Sequence, residues 1–337
     1  MIIYFFISFL LSALLTVLMM RAAFRLGILD RPGPARKVHK ADTPLLGGAA
    51  IFLAFAITSF LARQQLLAGR LEIHHWMGVF AGGLFLIVGG ILDDKYDLKP
   101  SRQFIFPVLA VASVIIGGVQ IEKITNPFGG FIYLKAFSGV LIALWLLGMM
   151  YTTKLLDGLD GLVSGVTAIG SFIIFLFTLT TRYYQPDIAL AALIFSAACL
   201  GFLVFNWHPA KIFLGEGGSL LLGFVLGVLA IISGGKIAIA LLIMGIPILD
   251  VVWTILRRLA AGKNPFKFAD RKHLHFRLFD SGLGARKTVL VFYLFSAVFG
   301  LAGLFLQSQG KLLALGALIL IMLVIVIIFS RIEREGN

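Results

Sequence analysis

Four short stretches of this 337-residue chain, and one isolated aspartate, gather the residue types that handle phosphates and divalent cations. Asp93-Asp94-Lys95-Tyr96-Asp97 closes an apolar run. Its carboxylates stand three or four residues apart, so they can share a helical face. Hard oxygens of this kind suit Mg2+, which takes one or two carboxylates together with substrate phosphates. The plain alternative is a solvated helix end. Asp157-Gly158-Leu159-Asp160-Gly161 joins two further apolar runs. On a helix its carboxylates share one face, and its glycines let another backbone or a ligand approach. Repeated Asp-Gly pairs are also turn signals. Phe213-Leu214-Gly215-Glu216-Gly217-Gly218-Ser219 leads into another apolar run. Three glycines and a hydroxyl at a helix start predict an anion cradle, because backbone N–H groups point outward and the dipole favours phosphate. Glu216 within it fits a bridging metal better than a phosphate contact alone. His273-Leu274-His275-Phe276-Arg277 places two histidines on one side of an extended strand, not of a helix. A zinc site lacks a third nitrogen or sulfur ligand nearby, so a phosphate or general-acid role beside Arg277 fits better. Asp250 lies inside an apolar run, seven residues before Arg257. An intramembrane carboxylate is a functional candidate by default; the alternative is a structural hydrogen bond to a neighbouring helix or to backbone opened by Pro247. His74 and His75 read as structural, and His208, beside Pro209, as a helix-end residue.

The elements that must position these groups follow from composition. The chain is 60% hydrophobic and 13% charged, whereas a soluble domain carries roughly 25% charge and 45–50% apolar residues. A water-soluble globule, a disordered chain and a small disulfide scaffold are excluded. The single cysteine, Cys199, permits no intrachain disulfide and reads as a core residue. A spanning helix needs about 20 mostly apolar residues. Eleven candidates run over 2–20, 46–62, 77–92, 103–119, 137–152, 162–181, 188–206, 219–234, 237–256, 288–306 and 311–330. The expected fold is all-α, a polytopic integral membrane protein forming one domain over 1–337. The first run has no charge before Arg21, so it reads as an anchor, not a cleavable signal. With the N-terminus outside, 22 of the 29 Lys and Arg residues fall on inner segments and 7 on outer ones. That asymmetry follows the positive-inside rule and puts the C-terminus in the cytoplasm. It also accounts for the net charge of +13 without a nucleic-acid partner. Acids contribute little to that rule, yet all but Glu72, Glu122, Asp187 and the intramembrane Asp250 lie on the inner side. Carboxylates gathered there among many cations predict a metal and phosphate site.

The motifs together resemble those of the polyprenyl-phosphate N-acetylhexosamine-1-phosphate transferases. The resemblance rests on His39-Lys40-Ala41-Asp42-Thr43-Pro44 with Gly47-Gly48, on DDKYD at 93–97 and on LLDGLDGL at 155–162. It continues through NWHPAKIFLGEGGS at 206–219 and HLHFR at 273–277. It implies transfer of a sugar-1-phosphate from a UDP-N-acetylhexosamine to a polyprenyl phosphate such as undecaprenyl phosphate, with release of UMP. Mg2+ is the implied cofactor, with Mn2+ as its substitute. By resemblance, Asp93 and Asp94 handle the lipid phosphate or metal, and one acts as base. Asp157 and Asp160 line the nucleotide and metal site. Glu216 ligates the metal with Asp94 and Asp157. Phe213 stacks on uracil near Asn206 and Lys40. His273, His275 and Arg277 hold the sugar diphosphate, His273 among the catalytic groups. Asp97, Lys154, Lys211, Gly217 and Ser219 complete the expected substrate-binding set. The implied place is a bacterial inner membrane, multi-pass, with the active site facing the cytoplasm; a homodimer is compatible with it.

Three positions depart from the family pattern: Glu216 replaces an aspartate, Thr153-Lys154 stand where an asparagine is usual, and Phe276 interrupts the histidine run. The lysine either competes with the metal or binds a phosphate itself. Arg277 and the odd span count favour the UDP-GlcNAc branch over the phospho-MurNAc-pentapeptide branch. An anion transporter is the rival class, disfavoured because transporters bind near the bilayer midplane on broken helices, whereas these groups sit at helix ends.

Overall fold

The computed structural model describes residues 1–31, 42–126, 129–180, 184–234, 237–262 and 273–335. Each of the eleven apolar runs falls on a helix or a pair of helices. Among the described residues, six helices are long and apolar enough to cross a membrane: Ile2–Leu26, Ile73–Tyr96, Lys135–Leu156, Pro186–Asn206, Leu274–Phe305 and Gln309–Phe329. The pair Ile237–Ile243 and Gly245–Ala260, bent by 79°, makes a seventh if it counts as one span. Gly47–Leu61, Pro100–Ile116, Leu162–Thr178 and Glu216–Ile232 are shorter. The 17 residues of Leu162–Thr178 reach only about 25 Å at 1.5 Å per residue, against a hydrocarbon core of about 30 Å. Length and apolarity therefore give six or seven helical units able to cross a membrane, where the sequence count is eleven. The all-α expectation also needs amending. Leu29–Asp30 pairs antiparallel with Thr43–Pro44, and Lys123–Thr125 with Phe131–Tyr133.

The layering follows from side-chain size. Pro186–Asn206 is rich in alanine and is buried along most of its length. Leu162–Thr178 and Glu216–Ile232 are likewise central. Ile2–Leu26 lies outside them and turns a hydroxyl stripe inward. Ser8 Oγ donates to Ile194 O at 2.8 Å and Ser12 Oγ to Ala198 O at 2.6 Å. Small hydroxyl residues at this spacing let two apolar helices approach and lock their register. Leu10, Leu14, Leu144, Leu313 and Leu320 face outward, a large apolar surface of the kind that a lipid phase covers.

Two close approaches set the geometry of the inner end. The Phe213 N–H donates to Pro44 O at 2.8 Å, Gly47 N–H to Phe213 O at 3.0 Å, and Gly48 N–H to Leu214 O at 2.8 Å. These bonds stitch the Thr43–Gly48 segment to the glycine loop. Beyond the stitch, Gly217 packs against the backbone of Gly90, and Gly218 against Gly48. A Cβ at any of these positions would collide with backbone, so glycine is required for helix approach. The helix carrying Glu216 is thereby held against the helix carrying Asp93 and Asp94.

Candidate active site

Helix Ile73–Tyr96 ends at Asp97, whose left-handed φ of 49° stops the helix while its N–H returns to Asp93 O at 2.8 Å. Asp93 spends one carboxylate oxygen on that turn: Oδ1 accepts from Leu98 N–H and Gln103 Nε2, both at 2.9 Å. Asp94 points across to the glycine loop, where its two oxygens accept from the Glu216 N–H, each at 3.2 Å. This caps the N-terminus of helix Glu216–Ile232, where a carboxylate meets an orphan donor and the positive dipole end. Gly215, at φ 73°, lets the loop enter that helix.

The Glu216 side chain forms an ion pair with Lys154 Nζ. The contact is made through Glu216 Oε1. The carboxylates of Asp93 and Asp157 are close enough to act on or feel Glu216 electrostatically. Crowding by protein, then the Glu216 and Asp160 carboxylates, push the Asp157 carboxyl up to about 7. Asp157 keeps exposed surface toward the cluster's opening. Asp160 is tied down on another side: its Oδ2 meets His208 Nδ1 at 2.6 Å and accepts from Ala210 N–H at 3.1 Å. Arg286 Nε in turn donates to His208 O at 3.1 Å.

The histidine stretch reaches the same place from the other direction. His273 starts helix Leu274–Leu278, so the pair is not on a strand as the spacing predicts. The rings are nonetheless parallel, 5.7 Å apart at 11°, because His273 has extended backbone before the helix begins. His273 Nδ1 meets Asp250 Oδ2 at 2.8 Å, and Leu274 N–H donates to Asp250 Oδ1 at 2.9 Å. All three residues are buried. His275 is fully buried, neither ring nitrogen has a hydrogen-bond partner among the described residues, and Nε2 lies against Gly158 of the Asp157 loop. A side chain at Gly158 would displace that imidazole. The Arg277 guanidinium lies over the Phe329 ring at 6.0 Å.

The structure thus brings together Asp93, Asp94, Asp157, Asp160, Lys154 and Glu216, with His273 and His275 beside them. It gives other expected residues different work. Asn206 is buried and makes three hydrogen bonds within the fold: Oδ1 accepts from Gly161 N–H and Ser164 Oγ, both at 3.0 Å, and Nδ2 donates to Ile212 O at 2.9 Å. It joins the Asp157 loop to the glycine loop instead of offering an amide to substrate. Gly217 and Ser219 are buried in helix packing, and Ser219 Oγ donates to Glu216 O at 3.0 Å. Both therefore serve the approach of the helices. Asp97 is an exposed helix stop, and the Lys211 side chain is exposed. Phe213 is half-buried at the stitch. Lys40 lies outside the described residues. Two contributors were missed in the sequence, the Asp160 partner His208 and the pairing of Asp250 with His273. Asp250 stood out as an intramembrane acid, but its partner is 23 residues away, beyond a charge-rich stretch of the sequence. His208 offered only its place after an apolar run.

No three His, Cys, Asp or Glu side chains among the described residues form a ready metal cage. The carboxylates instead suit an ion that takes one or two of them and completes its shell with water and phosphate.

Residues 76–234 match the family model described as Glycosyl transferase family 4. Over 98% of its length, and 90% of the relative's, the chain is 33% identical to a Bacillus subtilis protein named "Probable undecaprenyl-phosphate N-acetylglucosaminyl 1-phosphate transferase". The chain belongs to this family. A Thermotoga maritima undecaprenyl-phosphate alpha-N-acetylglucosaminyl 1-phosphate transferase is 34% identical over 88% of the chain and 87% of its own. A Bacillus velezensis phospho-N-acetylmuramoyl-pentapeptide-transferase is 31% identical over 90% and 95%. The family match spans the Asp93, Asp157 and Glu216 segments, and the longer alignments cover most of the chain.

Proposed function

We propose that the protein transfers N-acetylglucosamine-1-phosphate from UDP-GlcNAc to undecaprenyl phosphate and releases UMP, initiating a cell-wall or surface polysaccharide. The observation that carries this reading is the meeting of Asp94, Glu216, Lys154, Asp157 and Asp160 from three separate helix ends in a chain of this family. In the reaction the bond between the two phosphates of the donor breaks. A new one forms between the sugar phosphate and the lipid phosphate, and UMP leaves.

Such transfer depends on positioning and on neutralising phosphate oxygens. One or two of Asp94, Asp157 and Glu216 would hold Mg2+ directly, with water and phosphate completing its shell, and its bound charge would neutralise the diphosphate. Asp94 meanwhile keeps its grip on the Glu216 N–H, which holds the loop in place. Asp160, restrained by Ala210 N–H and His208, faces the site without freedom to turn away. Asp250 accepts the proton of His273 Nδ1, which leaves Nε2 as the nitrogen that meets the sugar diphosphate. Phe213 offers a half-buried ring beside the loop, a fitting face for uracil.

The membrane reading extends to eleven crossings, with the four shorter helices completing the six long ones and the bent pair. The N-terminus lies outside, and the site opens to the cytoplasm of a bacterial cell. The distribution of 22 inner and 7 outer cationic residues supports this orientation.

Purified protein supplied with Mg2+, UDP-GlcNAc and undecaprenyl phosphate is expected to release UMP. Absence of UMP with every UDP-N-acetylhexosamine, from folded protein, overturns the assignment. The 31% identity to a phospho-N-acetylmuramoyl-pentapeptide-transferase favours one second reading, UDP-MurNAc-pentapeptide as donor. A donor panel separates the two.

A further inference from the structure

At the edge of the carboxylate cluster a lysine and a glutamate from two different helices touch each other. Lys154 stands in the last turn of helix Ser138–Leu156, and Glu216 in the first turn of helix Glu216–Ile232. Their side chains form an ion pair with about a quarter and a fifth of their surfaces exposed. The same ammonium lies 5.7 Å from the ring centre of Tyr151, one helical turn earlier. Lys154 therefore has an anionic partner and an aromatic shelf within reach of one flexible stem.

We infer that Lys154 is a resident cation of the carboxylate cluster, neutralising Glu216 until a divalent ion arrives and then turning its ammonium to the donor diphosphate. This rests on the reading of Glu216 as a metal-binding carboxylate. Carboxylates that repel one another need a counter-charge in the half-desolvated site. Lysine supplies it as a compact point charge on a four-carbon stem. A divalent ion on Glu216 repels an ammonium at contact distance strongly in this low-dielectric setting, so the two cannot share the carboxylate. The stem lets the ammonium move by several ångströms without moving the helix, and the incoming diphosphate is the nearest new anion. An exposed lysine elsewhere on the inner surface could not act this way, because it would not be bound to the group the metal needs.

The test is a calorimetric titration of Mg2+ into the full-length, detergent-solubilised protein without substrate. Lys154→Gln is expected to tighten Mg2+ binding about tenfold, since removing a competing charge is worth roughly one decade. Lys154→Arg, which keeps the charge, stays near the parent value. Glu216→Gln weakens binding, and in its background Lys154→Gln no longer tightens it. In steady-state assays Lys154→Gln raises KM for UDP-GlcNAc severalfold although the metal binds better, and those opposite signs are the signature of a cation that serves both. Unchanged or weaker Mg2+ binding in Lys154→Gln overturns the inference. So does tightening that persists in the Glu216→Gln background, or tightening by Lys154→Arg. If Glu216→Gln alone leaves Mg2+ binding unchanged, the metal-binding reading of Glu216 fails, and the inference falls with it.

Discussion

Helix Ile73–Tyr96 carries His74 and His75 near one end and Asp93 and Asp94 near the other, about 29 Å apart at 1.5 Å per residue. At its start, Glu72 N–H donates to His75 Nδ1 at 3.1 Å, and His74 Nδ1 lies 3.5 Å from Glu72 Oε2. The two rings stand 4.2 Å apart; Glu72 and His74 are exposed and His75 is half-buried. Every polar partner there is within three residues. At its end, Asp94 reaches Glu216, 122 positions along the chain. The other histidine pair, His273 and His275, shows the same contrast: it is buried, and its acid is Asp250 on another helix. Acids and histidines thus do two different jobs in one molecule. Local pairs close a helix end. Long-range pairs from several helices build a site, and their burial makes each lost partner costly.

That contrast can be broken by experiment. The largest effect belongs to Asp94→Asn and Asp160→Asn, each expected to lower UMP release by about a thousandfold or more, comparable with loss of a principal electrostatic group. A loss under tenfold for both, measured on folded protein, would falsify the catalytic reading of the inner cluster. Asp250→Asn is next. It is expected to lower kcat by about a hundredfold with little change in KM, because it turns the wrong imidazole nitrogen toward substrate. Asp250→Glu restores part of the loss; equal effects of Asn and Glu would mark Asp250 as packing alone. Gly217→Val attacks the scaffold, because a branched side chain there meets the backbone of Leu86 and Gly90. Overpacking of this kind costs about 1–3 kcal/mol, read as a lower Tm and poor recovery from the membrane. Smallest is His75→Ala at the other end of the helix. It removes one local cap and costs about 1 kcal/mol or less, with UMP release within twofold of the parent. A tenfold loss there would erase the difference between the two ends.

Much of the candidate site is legible along the chain because its donors come in tight local groups. DDKYD, DGLDG and GEGG each announce themselves by residue type and spacing. Their partners do not. Asn206 looks like a binding amide until burial and three hydrogen bonds to Gly161, Ser164 and Ile212 tie it into the fold. Gly217 and Ser219 look like an anion cradle until Gly90 packs against one and helix backbone takes the hydroxyl of the other. In both cases a residue with free donors in the linear chain loses them to close packing.

What the sequence by itself determined is what depends on neighbours a few residues away: apolar runs that must be helical where no water bonds the backbone, glycine and aspartate at helix ends, and the uneven placement of cations. Only the tertiary structure decided which groups meet. Lys154 with Glu216, Asp250 with His273 and His208 with Asp160 are pairs separated by 62, 23 and 48 positions. Such pairings follow from how closely glycine-bearing helices approach, and no local propensity carries that information.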